Sequence, residues 1–260
     1  MNRSERRRQL RADSKLLLNG LDPINRDREQ LAALMRLLHE QLCASRAEGS
    51  VNPMMAFLYD NMAQSARRLR QVSIACFRGC SHCCHTWVAV SAPEVLFVRN
   101  TMPAKAREQI RDSILQAYEA TAGKSPEERL TIAAPCPLLR DRLCSVYAHR
   151  PIVCRTAVSL DAALCERAYR HHSGEAIPSP EWYAILRNGY DIALSGAIRR
   201  EGLSYASYEF NAALKAVFEN PDAERQWLGG VDILSGLPQN SDADPFRNGA
   251  YRQVYESAFG

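Results

Sequence analysis

Apolar positions along the chain recur mostly at helical spacing. Leu31, Leu34, Met35, Leu38 and Leu42 fall at i, i+3, i+4, i+7 and i+11, which predicts one buried face on a helix beginning near Asp22-Pro23 or Asn25. Asn52-Pro53 predicts a second start, with Asn as N-cap and Pro at the first helical position. That helix turns Met54, Leu58, Met62, Leu69 and Val72 inward, its methionines serving as core filler rather than ligands. Ser91-Ala-Pro-Glu94 has the form of a capping box and predicts a helix from about Pro93 to Asn100. Pro103 and Ser125-Pro126-Glu127-Glu128 open two further polar segments. Ser179-Pro180-Glu181 caps a long helix through Trp182, Leu186 and Ile192. Phe210, Ala213, Leu214 and Val217 line one side of a shorter helix, and Asn220-Pro221-Asp222 starts a final turn or two ending at Gly229-Gly230. Strand alternation is scarce, and Trp87-Val88-Ala89-Val90 is its best instance.

These patterns predict a mainly α protein: a compact helical domain with an irregular, loop-rich cysteine core and helical N- and C-terminal extensions. The expected division is a basic tail over 1–20, a helical extension over 21–73, a cysteine-cluster domain over 74–170, helices over 171–235, and a polar segment over 236–260. The last 20 or so residues, polar with an aromatic scatter, read as poorly ordered. The proline-bracketed stretch from Pro135 to Pro151 reads as loop and turn, suited to presenting ligands.

Charge refines this picture. Residues 1–15 carry Arg3, Arg6, Arg7, Arg8, Arg11 and Lys15 against Glu5 and Asp13, a formal +4 that equals the charge of the whole chain. The remaining 27 basic and 27 acidic residues balance, so the basicity belongs to one segment and argues against a nucleic-acid-binding face. The longest apolar stretch, Thr86 to Val98, is interrupted by Pro93 and Glu94 and falls short of the roughly 20 residues that span a bilayer. Leu16-Leu17-Leu18 is too short for the apolar core of a secretory signal, so the expected compartment is the cytoplasm, where thiols stay reduced.

The chemistry lies in the cysteines. Eight of nine fall between Cys76 and Cys165: Cys76, Cys80, Cys83 and Cys84 in one burst, Cys136, Cys144 and Cys154 in a second, and Cys165 behind them. Thiolates clustered in this way suit tetrahedral zinc or an iron–sulfur cluster. Cys80-x2-Cys83 is a knuckle, and Cys76 can add a third sulfur. Cys84 is awkward, because adjacent side chains leave the backbone in different directions. The neighbours therefore serve different metals, or one packs in the core. The eight divide as two sets of four, or as one set of four with spare residues. His82 and His85 could each replace a thiolate. Arg150 and Arg155 flank a Pro-constrained turn and could face the site, whereas Arg140 and Arg142 read as solvated charge. Cys43, alone on a helix, reads as a buried apolar residue.

Cys76-x3-Cys80-x2-Cys83-Cys84, followed by Cys136-Pro-Leu-Leu, Cys144-Ser-Val-Tyr147 and Arg150-Pro151-x2-Cys154-Arg155, resembles the bacterial cysteine-cluster proteins of the YkgJ type, a zinc- or iron-chelating domain. The likeness covers about 74–170, and Cys165 resembles an extension found in part of that family. Ser81-His82 stands where many relatives have a glycine before the next cysteine. The resemblance implies chelation without a settled reaction. One branch, the flagellin lysine methylases, is implied to combine such a cluster with methyl transfer from S-adenosylmethionine. Here no Gly-rich nucleotide loop follows a strand, and no P-loop, zinc-protease motif or nucleophile elbow occurs.

Two functions follow. One is a non-catalytic metal module, holding zinc or an iron–sulfur cluster for folding, metal handling or redox sensing. The other is an iron–sulfur enzyme that modifies a protein side chain, with His82, His85, His149 and Tyr147 as candidate acids or bases. The metal ion or cluster is the expected partner; a protein partner is not specified by the residues.

Overall fold

The computed structural model describes residues 2–22, 27–69, 71–132, 134–239 and 245–260. The helices are α1 (Arg3–Leu16), α2 (Arg28–Glu48), α3 (Asn52–Arg68), α4 (Ala92–Thr101), α5 (Ala104–Thr121), α6 (Pro126–Arg129), α7 (Ile152–Thr156), α8 (Ala162–His171), α9 (Glu181–Arg200), α10 (Phe210–Glu219), α11 (Ala223–Leu228) and α12 (Gly249–Phe259). Four strands of two or three residues, β1 (Ala89–Ser91), β2 (Leu139–Arg140), β3 (Leu143–Cys144) and β4 (Ser207–Glu209), pair antiparallel as β1–β4 and β2–β3. The chain is mainly α, as its periodicity predicts.

The axis of the molecule is α2, which packs against α1, α3, α9 and α12. Its predicted face holds, with Leu34, Met35, Leu38 and Leu42 fully buried. The helix starts at Arg28, where the Asp27 carboxylate accepts the Glu29 and Gln30 amides; the expected start at Pro23 or Asn25 lies outside the described residues. Gly196 on α9 lets the two helices close, since a Cβ there would meet Met35 Sδ at 2.4 Å. A second group, α10 against α4 and α5, is joined to the first through α3 and the β1–β4 pair.

Three local expectations are corrected. The N-cap of α3 is Val51, not Asn52. Its amides are satisfied from other elements, by Ser45 Oγ accepting Met54 N at 3.2 Å and Glu224 Oε1 accepting Val51 N at 2.7 Å. For α9 the cap position is Pro180, with no side-chain bond from Ser179. The aromatic scatter at the C-terminus is a helical stripe: Tyr251, Tyr255 and Phe259 recur every four residues on α12, and Val254 and Phe246 bury against Ala32, Met35 and Ile192.

The basic N-terminal segment is a helix laid on α2. The Arg36 guanidinium donates to both oxygens of buried Asp13, at 2.8 and 2.7 Å, and Arg6 pairs with Glu40. After α1 the chain turns at Gly20, with φ +73°, where a Cβ would lie 2.6 Å from the Asn61 carbonyl. No helix among the described residues is long and apolar enough to cross a membrane.

Candidate metal centre

The first burst hangs between α3 and β1. Gly79 takes a left-handed backbone, φ +88°, and the Cys80 amide donates to the Phe77 carbonyl at 3.0 Å, tightening the knuckle. A 3-10 turn over His82–His85 follows, closed by Cys84 N to Ser81 O at 2.9 Å. Cys83 is exposed as a residue, yet its thiol sits within hydrogen-bond reach of the Cys84 thiol. The neighbouring sulfurs therefore meet rather than diverge, and neither side chain is in the core.

The second burst is built as a hairpin and a one-turn helix. Asp141 and Arg142 both have positive φ, 48° and 63°, the twist that a two-residue hairpin between β2 and β3 requires. The Cys136 amide donates to the Cys84 carbonyl at 2.7 Å, fastening one burst to the other. Cys154 rides on α7, whose first amide, Ile152 N, donates to Glu94 Oε1 at 2.9 Å. The other oxygen of Glu94 accepts the Ser91 amide and hydroxyl at 2.8 and 2.7 Å, completing the capping box of α4. One buried carboxylate thus anchors two helices, and burial pushes its pKa up.

Cys165 comes to the first burst on α8, which packs against the 3-10 turn. One helical turn further, Tyr169 lies against His85 and His82, with ring centroids 4.4 and 5.8 Å apart. The Cys76 thiol interacts electrostatically with those of Cys80, Cys83 and Cys165. Cys136 interacts with Cys144 and Cys154, and both of these in turn with Cys83. All eight clustered cysteines therefore occupy one neighbourhood, with Cys83 common to both sides.

Three backbone amides are aimed at sulfur: Ser159 N donates to Cys76 Sγ at 3.3 Å, Leu138 N to Cys136 and Val146 N to Cys144. Burial pushes up the thiols of Cys76, Cys136 and Cys144, and that of Cys154 to about 12. The Cys83 thiol is raised first by its bond with Cys84 and then by burial. The protein without metal thus holds these groups as neutral thiols, and a metal must displace their protons.

Of the two arginines expected to be able to face the site, one does. Arg150 stacks on the exposed ring of Tyr147 at 4.1 Å and lowers the thiol pKa of Cys83, Cys144 and Cys154. Arg155 turns away, its guanidinium 4.0 Å over Tyr59 while it donates to the Arg150 and Ala148 carbonyls. Arg140 and Arg142 are solvated. Sequence reasoning missed Arg129, only 2% exposed, which interacts with Cys136 and leaves Nε and Nη1 without partners. Beside it, His85 Nδ1 is likewise buried and unpartnered. Soft thiols, amides directed at sulfur and a buried guanidinium with two unpartnered nitrogens, which also faces Glu209, fit an anionic metal–thiolate centre.

The sulfurs do not form a closed tetrahedron as placed. Zinc–thiolate bonds of about 2.3 Å imply sulfurs about 3.8 Å apart. Among the described residues, the three potential ligand atoms lying within 4.8 Å of one another belong instead to His39, Cys43 and Glu201. Cys43 is therefore not in the apolar core, as its sequence context suggested, but half-buried beside the His39 ring and the Glu201 carboxylate.

Residues 75–173 match the family described as "CxxCxxCC: Putative zinc- or iron-chelating domain". No curated protein and no solved structure matches the chain.

Proposed function

We propose that the chain, with residues 75–173 as its chelating domain, is a metal-holding protein. Its thiolates Cys76, Cys80, Cys83, Cys84, Cys136, Cys144, Cys154 and Cys165 take up zinc or an iron–sulfur cluster in a non-catalytic role, for folding, metal handling or redox sensing. The observation that carries this reading is the union of the two bursts through the Cys136–Cys84 backbone bond and the Cys83, Cys144 and Cys154 thiols. Eight thiols exceed the four that one tetrahedral ion uses, which favours a polynuclear centre or paired ions. Arg129 and Arg150 then offset the thiolate charge, and Glu94 holds Cys154 in place through α7.

The competing reading, an iron–sulfur enzyme that modifies a protein side chain, needs a cavity for co-substrate beside the sulfurs. Two open surface hollows, one on α1 at Glu5, Arg8, Gln9 and Ala12 and one at Leu18, Asn19, Gln64, Arg67 and Arg68, contain no cysteine. We favour the non-catalytic role on the number of thiols and on the joining of the two bursts. Anaerobic purification with metal and sulfide analysis tests it: iron with sulfide and absorption at about 400 nm marks a cluster, and colourless zinc marks tetrahedral sites. Protein retaining neither metal nor sulfide contradicts it.

A further inference from the structure

We infer that His39, Cys43 and Glu201 form a second, separate metal site, selective for a divalent cation of zinc-like softness. His39 and Cys43 stand one turn apart on the same face of α2, and Glu201 is the C-terminal cap of α9. His39 Nε2 lies 2.6 Å from Glu201 Oε1, Cys43 Sγ lies 3.7 Å from the same nitrogen, and 3.8 Å separates Sγ from Oε1. Donors about 2.0 to 2.3 Å from one tetrahedral ion would be about 3.3 to 3.6 Å apart, so the triangle matches after a small opening of the His39–Glu201 edge.

The arrangement is wrong for a nucleophilic triad. In a triad the carboxylate orients one ring nitrogen while the thiol meets the other. Here both sulfur and carboxylate face Nε2, which is what convergence on a shared ion demands. The surroundings hold the donors in place. Arg46 Nη1 donates to Glu201 Oε2 at 2.7 Å, leaving Oε1 turned to the site, and Phe259 packs edge-on against the His39 ring. The negative end of α9 also favours a cation there. Arg6 lies beside Cys43, but Glu40 pairs with it and offsets its charge.

Binding keeps protons and charge in balance. The Cys43 S–H bond breaks and its proton goes to solvent, while sulfur donates its pair to the ion. Nε2 gives up to solvent the proton it shares with Glu201 and donates its lone pair to the ion, the ring keeps a hydrogen on Nδ1, and water fills the fourth position. The site ties the middle of α2 to the end of α9, outside the segment that carries the cysteine domain.

The test adds zinc chloride to as-isolated protein, removes excess, and counts zinc by mass spectrometry of the element. The wild type should gain about one zinc per chain over Cys43→Ser, whose cluster spectrum and helicity stay the same. Equal zinc in the two proteins overturns the site. Should Cys43→Ser fail to fold, the wild type alone suffices, through site-resolved alkylation of Cys43 with iodoacetamide. Zinc should slow that alkylation at least about tenfold, reversibly with a chelator, because only the free thiolate reacts. An unchanged rate overturns the proposal. Neither readout depends on whether the eight-thiol centre holds iron or zinc.

Discussion

Single side chains in this protein act at two places at once. The Glu94 carboxylate caps α4 and holds the first amide of α7, so its loss reaches Cys154. Glu94→Ala should cost about 3 kcal/mol in urea unfolding, because it strands two buried amides, and should lower metal content in parallel. Burial raises this carboxyl above 4.5, so the folded state holds its proton more tightly than the unfolded chain. Its contribution is complete below pH 4.5 and declines as pH rises through the folded value; Glu94→Gln should flatten that part of the stability profile. Arg150 acts by charge. Without it the thiols of Cys83, Cys144 and Cys154 bind protons more firmly, so Arg150→Ala should move half-loading of metal upward by about half a pH unit. Unchanged metal retention against pH would show that Arg150 serves only to stack on Tyr147.

At the scale of elements, periodic sequence was readable and tertiary capping was not. The α2 face, the Ser91–Glu94 box, and α10 with its Phe210, Ala213, Leu214 and Val217 stripe all follow from local spacing. The cap of α3 could not be foreseen, because Ser45 and Glu224 supply it from elsewhere in the chain. The C-terminal stripe at Tyr251, Tyr255 and Phe259 was legible in principle, but polar neighbours masked it. For the cysteines, spacing indicated the chemistry, yet the roles of Arg129 and Glu94 depend on contacts made across the fold. Close approach decides the joint after α1: Gly20→Ala meets the Asn61 carbonyl and forces a positive φ on a residue with a Cβ. It should destabilise the protein by about 2 kcal/mol or more, read by thermal unfolding. A change within about 0.5 kcal/mol would mean that α1 is not docked as described.

Across the whole molecule, the proposed centre would couple metal to fold. The cysteine loops contribute few regular elements, so metal bound by the proposed centre would add to their order. Chelation should lower the Tm of metal-loaded protein by about 5 °C or more, and an unchanged Tm would show that the fold does not draw on the metal. The sign with pH is definite. Cys154 binds its proton up to about 12, against 9.0 for an ordinary thiol. The metal-free fold keeps that contribution below pH 9 and loses it as pH climbs towards 12. Metal affinity runs the other way, because each thiolate formed frees a ligand, so the gap between loaded and stripped protein widens with pH. The basic helix α1, pinned by Asp13–Arg36, belongs to the same packed body.

The central claim is that sulfurs from both bursts enclose a common centre. Pulsed alkylation of anaerobically isolated, metal-loaded protein, resolved by peptide mass spectrometry, tests it most directly. The account predicts that Cys76, Cys80, Cys83, Cys84, Cys136, Cys144, Cys154 and Cys165 are protected together and become reactive together when a chelator strips the metal. Free alkylation of either burst while the metal stays bound would contradict it.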